Sequence, residues 1–183
     1  MSLNPIPFWF LRHGETDWNA QNLSQGNVDI PLNARGIEQA HAAAEQLKGR
    51  GIVSIIASPL SRAADTARIV GAALGLDVAF EEELREVSFG VQEGKPMAGW
   101  FDGWVAGDFT PEQAESFPVL RARAQRAVNR ALLAPAPVLI VAHGALFRAL
   151  RAEMGLEPNV RTRNAVPILC RPATPHWDLL EIA

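Results

Sequence analysis

A chain of 183 residues, 48% apolar and 20% charged, has the size and composition of one domain whose core can pack helices on two faces. Its net charge of −3 excludes a protein whose main partner is nucleic acid, so any strong positive field must be local. The single cysteine, Cys170, excludes an internal disulfide, and its apolar surroundings mark a buried structural thiol of a reducing, cytoplasmic compartment.

Residues 1–11 have no basic leader region, carry two prolines and are too few to span a bilayer, so neither export nor a membrane is expected. Residues 6–11 are apolar at nearly every position, as are 52–57 and 138–142; such runs predict interior parallel strands covered on both faces. The first helix is predicted over 34–47, with Ile37, Ala40, Ala44 and Leu47 on one stripe, Asn33 as its cap, and Gly49 and Gly51 ending it. The second covers 60–74, with Leu60, Ala63, Ala67, Val70 and Leu74 in register and Gly75 as its stop. Residues 94–117 follow neither period and hold Trp100, Phe101, Trp104 and Phe109, so 94–118 is expected to be a lid-like insertion. Helices over 119–133 and 146–154 follow, closed by Pro135 and Gly155, and two strands over 165–170 and 176–182 end the chain. The alternation predicts a single α/β domain over 1–183, a three-layer sandwich whose mixed, mostly parallel central sheet carries helices on both faces.

Each predicted core strand ends in polar residues: Arg12-His13-Gly14 after the first, Ser58-Pro59-Leu60-Ser61-Arg62 after the second, His143-Gly144 after the third. In a parallel sheet these ends share one edge, where open α/β folds bind ligands. The glycines allow a sharp turn and close approach of a ligand, and helices starting near Leu60 and Ala145 aim free N–H groups at the same edge. Arginine forks, helix N-termini and imidazoles suit a phosphate-sized anion. Neighbouring cations favour a neutral, nucleophilic imidazole, while a charged one would only stabilise the transition state; two histidines can divide these tasks. A phosphoenzyme route also needs a carboxyl group, and spacing does not choose among Glu81, Glu82, Glu83, Glu86 and Glu93.

The remaining candidates read as ordinary. His41 lies mid-helix among alanines and His176 opens a terminal strand; no pair of histidines has metal-ligand spacing, so no metal or other cofactor is expected. Arg121, Arg123, Arg126 and Arg130 point in several directions from one helix, as a solvated face does.

The run Leu11-Arg-His-Gly-Glu-Thr-Asp-Trp-Asn19 resembles the histidine phosphatase superfamily in its phosphoglycerate-mutase-like branch. Gln25-Gly-Asn-Val-Asp-Ile-Pro-Leu32, Gly36-Ile-Glu-Gln-Ala40, Ser58-Pro-Leu-Ser-Arg-Ala63 with Thr66-Ala67, Leu84-Arg-Glu86 with Gly90 and Glu93-Gly94, and His143-Gly144 continue the resemblance in the family's order. It implies a phosphohistidine on His13, with Arg12, Arg62 and His143 holding the phosphoryl oxygens and Glu86 as proton donor. It further implies substrate contacts from Asn19 and Asn164, an entrance lined by Gln25 and Gly26, and Ala145 where an asparagine commonly follows the second His-Gly. Gln92 also departs from the large apolar residue often found there.

The resemblance implies that mutases of this branch carry a longer insertion that closes over the intermediate, so the shorter 94–118 segment is expected to admit water. The expected activity is therefore a metal-independent phosphatase acting on a small phosphomonoester through a phosphohistidine. A phosphoglycerate mutase, a non-catalytic phospho-ligand-binding module and a protein phosphatase are the alternatives. The expected partner is a small phosphorylated metabolite, with neither nucleic acid nor a membrane, and a homodimer is left open. Trp100, Phe101, Trp104 and Phe109 either cap the core or form an aromatic wall; with Arg161 and Arg163 as a basic rim, that wall would suit a substrate carrying a second negative group.

Overall fold

The computed structural model describes residues 2–182. Strand β1 (Phe8–Arg12) is followed by the short helix α1 (Asp17–Ala20), helix α2 (Ala34–Leu47), strand β2 (Ser54–Ala57), helix α3 (Ser61–Leu74) and strand β3 (Val78–Phe80). Two 3₁₀ turns, Glu82–Leu84 and Gly90–Gln92, lead to helices α4 (Trp100–Ala106) and α5 (Phe117–Ala131). Strand β4 (Val138–Ala142), helix α6 (Gly144–Glu153) and strands β5 (Ile168–Arg171) and β6 (Asp178–Glu181) complete the chain.

The strands form one sheet in the order β3-β2-β4-β1-β5-β6. β1, β2, β3 and β4 run parallel, β5 pairs antiparallel with β1, and β6 pairs antiparallel with β5, which gives the expected mixed sheet. Alternation along β1 assigns the two faces: Phe8 and Phe10 join the core beneath α5 and α6, while Trp9 and Leu11 join the core beneath α2 and α3. Phe10 stacks on Phe147 at 4.1 Å between ring centres, so α6 seats directly on the strand that leads into the first histidine. Asn33 caps α2 by accepting from the Gly36 amide at 2.8 Å, and Gly75 ends α3 in the left-handed region.

Residues 94–118 differ from the irregular segment expected. They contain α4, whose Phe101, Trp104 and Val105 are buried, and Trp104 donates its ring N–H to the Glu115 carbonyl at 2.9 Å. The aromatic spacing at 100, 101 and 104 is helical, but Gly99, Gly103 and Gly107 weaken the pattern. Phe89 gathers this cluster edge-on, 5.3 Å from Trp100 and 5.2 Å from Trp104. Strand β3, three residues at the sheet edge, has no counterpart among the predicted strands.

Candidate active site

The parallel register of β1 on β4 opposes Arg12 to Ala142, so His13 and His143 leave the sheet side by side. Their rings lie 5.3 Å apart at 56°. His13 Nδ1 is 2.7 Å from the Gly14 carbonyl oxygen. Since a carbonyl only accepts, Nδ1 carries the hydrogen and Nε2 keeps a free lone pair. His143 is fully buried, with Nε2 2.7 Å from Ser58 Oγ and Nδ1 buried without a protein partner. Burial, then Arg62 and Arg12, hold His13 well below the ordinary histidine value; burial and Arg62 do the same for His143, with further repulsion from His13 and Arg12. Both imidazoles are neutral near pH 7.

Two guanidiniums flank them. Arg12 donates to the Thr162 carbonyl at 2.6 Å, and Arg62 to the Val28 and Gly26 carbonyls at 2.9 and 2.7 Å. In both, Nε is buried with no partner among the described residues. Burial lowers the Arg12 value to about 10 against the opposing pull of Glu86, and Arg161, Arg148 and Arg62 add repulsion.

The glycines serve packing more than ligand approach. A Cβ on Gly14 would stand 2.3 Å from the Gly36 carbonyl oxygen, so the histidine turn is pressed against α2. A Cβ on Gly144 would stand 3.2 Å from Arg12 Nε, so this glycine makes room for the guanidinium.

The helix N-termini are also occupied, contrary to the expectation that they wait for an anion. Ser61 N–H at the start of α3 donates to Asp29, and Ala145 and Leu146 N–H at the start of α6 each donate to the Glu86 carboxyl at 2.9 Å. Val87 N–H adds a third bond to Glu86, at 3.1 Å.

Geometry thereby selects among the five glutamates. Glu86 is buried and lines the pocket. Glu81 and Glu83 pair with Arg130, Glu83 also with Arg126, and Glu82 with Arg85. Glu93 accepts from the amides of Asn27 and Phe89, holding two loops together. Arg126 and Arg130 of α5 stay exposed, as a solvated face does, but they pair with this acidic stretch, while Arg121 pairs with Glu153 of α6. Arg123 binds both oxygens of Glu115 at 2.8 and 2.6 Å and donates to the Glu83 and Arg85 carbonyls at 2.7 and 2.8 Å.

These residues surround a pocket of about 290 Å³. Arg12, His13, Asn19, Gln25, Gly26, Arg62, Glu86 and Ala145 all lie on its wall. His143 and Asn164 are not part of that wall: the His143 ring is packed beside His13, and Asn164 Nδ2 donates to the His13 carbonyl at 3.0 Å and to Asn19 Oδ1 at 3.2 Å. Asn164 thus positions the histidine turn. Gln25 accepts from Thr16 Oγ1 at 2.7 Å, and the Gly26 carbonyl receives Arg62. Of the aromatics, Phe101 reaches the wall while Trp104 is core. Arg161 reaches it, whereas Arg163 pairs with Glu181 at 2.5 Å.

Sequence reasoning missed four participants. Ser58 stands at a strand end and in a quoted motif with no role of its own, yet it holds His143. Thr66 accepts from the Gly14 amide at 3.0 Å and donates to the Arg62 carbonyl at 2.8 Å, tying both strand ends together. Thr162 receives Arg12. Arg148 lines the pocket from α6, and its signal was available: a lone charge in a helix otherwise buried from Gly144 to Leu150.

Two neutral imidazoles between two guanidiniums, at the C-terminal edge of a parallel sheet, define a histidine-based phosphoryl-transfer enzyme. The chain belongs to the histidine phosphatase superfamily, branch 1, whose sequence profile matches residues 8–167. It is 38% identical over 177 residues to the Proteus mirabilis protein named "Probable phosphoglycerate mutase GpmB", covering 87% of this chain and 81% of that one. Among solved structures it is similar to mycobacterial glucosyl-3-phosphoglycerate phosphatase in complex with VO3, with TM-score 0.83, 30% identity and coverage of 94% and 96% of the two chains. It is also similar to phosphoserine phosphatase from Entamoeba histolytica in complex with 3-phosphoglyceric acid, with TM-score 0.82, 25% identity and coverage of 97% and 96%.

Proposed function

We propose that this enzyme is a phosphatase, hydrolysing a small phosphomonoester through a phosphohistidine on His13. The observation that carries the reading is the bond from His13 Nδ1 to the Gly14 carbonyl, which leaves Nε2 of a neutral ring unengaged on a residue that lines the pocket. In the first step Nε2 attacks phosphorus, the ester P–O bond breaks, and the leaving alcohol oxygen takes the proton of the Glu86 carboxyl group. In the second, Glu86 takes a proton from water as that water attacks phosphorus; the N–P bond breaks, releasing phosphate and restoring His13. The unpartnered Nε groups of Arg12 and Arg62, with Nδ1 of His143, serve the phosphoryl oxygens as donors. The outer wall supports transfer to water, since Asn22, Ala98, Asp102 and Arg161 are all exposed.

Alkaline quenching during turnover of p-nitrophenyl phosphate, followed by peptide mass analysis, should find one phosphoryl group on the peptide containing His13. Release of p-nitrophenolate with no covalent species, retained in His13→Ala, would defeat the reading. Mutase activity is the second reading, favoured by the named relatives at 38% identity. Isomerisation of 3-phosphoglycerate that outpaces phosphate release in the presence of a bisphosphate primer would establish it instead.

A further inference from the structure

We propose that Arg148 and Arg161 form a second anion subsite in the active-site pocket, which takes a carboxylate on the leaving-group side of the phosphomonoester; this rests on the phosphatase reading. Arg148 follows Gly144 by four residues and Ala145 by three, so it shares the helix face that lines the pocket floor, about 5 Å further along α6. Its neighbours from Gly144 to Leu150 are buried, so a charge here is costly unless it meets a partner. The guanidinium lies 4.9 Å over the Phe101 ring, and Nε is buried without a hydrogen-bond partner.

Arg161 enters the same wall from the loop before Thr162, the residue that receives Arg12. Among the described residues no hydrogen bond or ion pair engages the side chain of either Arg148 or Arg161. The carboxylates that share the pocket are engaged elsewhere: Glu86 by three amides, and Asp102 by Asn159 Nδ2 at 2.8 Å. A phosphoryl group on His13 is served by Arg12 and Arg62, which leaves the outer two cations with no direct ion pair, Glu86 and Asp102 acting on Arg148 only through space. Asp102 and Glu86 raise the Arg148 value only against a larger lowering by burial, with Arg161 and Arg151 adding repulsion. A flat two-oxygen group matches a guanidinium edge, and an ester with an uncharged alcohol part would leave Nε desolvated and unpaired, so the subsite discriminates by exclusion as well as attraction.

The test measures affinity calorimetrically in a His13→Ala background, where turnover is not required. The probes are 3-phosphooxypropanoate and n-propyl phosphate, which differ by a terminal carboxylate in place of a methyl. The carboxylate ester should bind at least about tenfold tighter, and Arg148→Gln or Arg161→Gln should each cut that ratio by about fivefold, with Arg148→Lys retaining part of it. Equal affinity for the two probes, or a ratio unmoved by both glutamine variants, overturns the subsite. Should Arg148→Gln not fold, the parent ratio and the exposed Arg161 side chain still decide. An enzyme with His13 that binds the esters but hydrolyses neither overturns the phosphatase reading alone.

Discussion

The Glu86 carboxyl group is bonded to the Leu146 amide at 2.9 Å, across 60 positions of sequence. Ala145 supplies the neighbouring bond, so the carboxyl group is fixed at the first turn of α6, beside the pocket. Glu86→Gln replaces one accepting oxygen by a donating amide and removes the exchangeable proton. Hydrolysis of alkyl phosphates should fall about 100-fold or more, while p-nitrophenyl phosphate, whose leaving group needs no proton, should lose far less. Steady-state kcat on both esters checks this; equal losses would move the acid role away from Glu86.

Arg123 acts on that carboxyl through the backbone. It gathers the carbonyls of Glu83 and Arg85 and is itself anchored on Glu115, so it positions the segment that delivers Glu86. Arg123→Ala leaves a half-buried carboxylate and several carbonyls unpaired and should cost about 3 kcal/mol of stability. Its kinetic signature should copy that of Glu86→Gln, with alkyl esters losing more than the aryl ester, and Arg123→Lys should restore part of the alkyl activity. A uniform loss on both esters would reduce Arg123 to a scaffold residue.

The two histidines make stability depend on pH. Both are held well below the unfolded value of about 6.5, so below that pH the unfolded chain binds protons that the folded one refuses. Stability should therefore be highest above about pH 6.5 and fall on acidification by about 1.4 kcal/mol per pH unit for each imidazole. Urea titrations between about pH 7 and pH 5.5 should show this slope, and His143→Gln should roughly halve the histidine share of it. A slope unchanged by that substitution would mean that His143 does not enter the folded state as the neutral ring.

Trp104 and Phe101 separate packing from recognition. Trp104 is fully buried among Phe89, Phe101 and Phe117, so Trp104→Ala should cost about 3–5 kcal/mol of stability. Phe101 stands between that core and the pocket, beneath Arg148, and Phe101→Ala should raise KM as well as lower the denaturation midpoint. Denaturant curves beside KM values distinguish the two, and a KM effect confined to Trp104→Ala would reverse the assignment.

The architecture was legible where one physical signal dominated. Strands buried on both faces leave uninterrupted apolar runs, and Asn33 and Gly75 mark helix ends because cap geometry admits few residues. The convergence of Arg12, His13, Arg62 and His143 followed from placing three strand ends on one edge. What depended on tertiary partners was not legible. Nothing local separates Glu86 from Glu83 until α5 arginines claim one and α6 amides the other. Likewise Asn164 carries no mark of bonding to the His13 carbonyl, and Gly103 within α4, with Gly99 and Gly107 at its ends, hides a helix that aromatic packing stabilises.

The position of β1 between β4 and β5 has a consequence for biosynthesis. The strand that carries Arg12 and leads into His13 is made early, yet both of its sheet neighbours lie in the last third of the chain. The bond that steadies the histidine turn spans 151 residues. A ribosome-bound fragment ending before Val138 therefore holds the nucleophile on a strand with neither neighbour, and contacts of such long range form slowly. The enzyme should acquire its chemistry late and all at once, so that nascent chains carry no competent site before the final strands emerge.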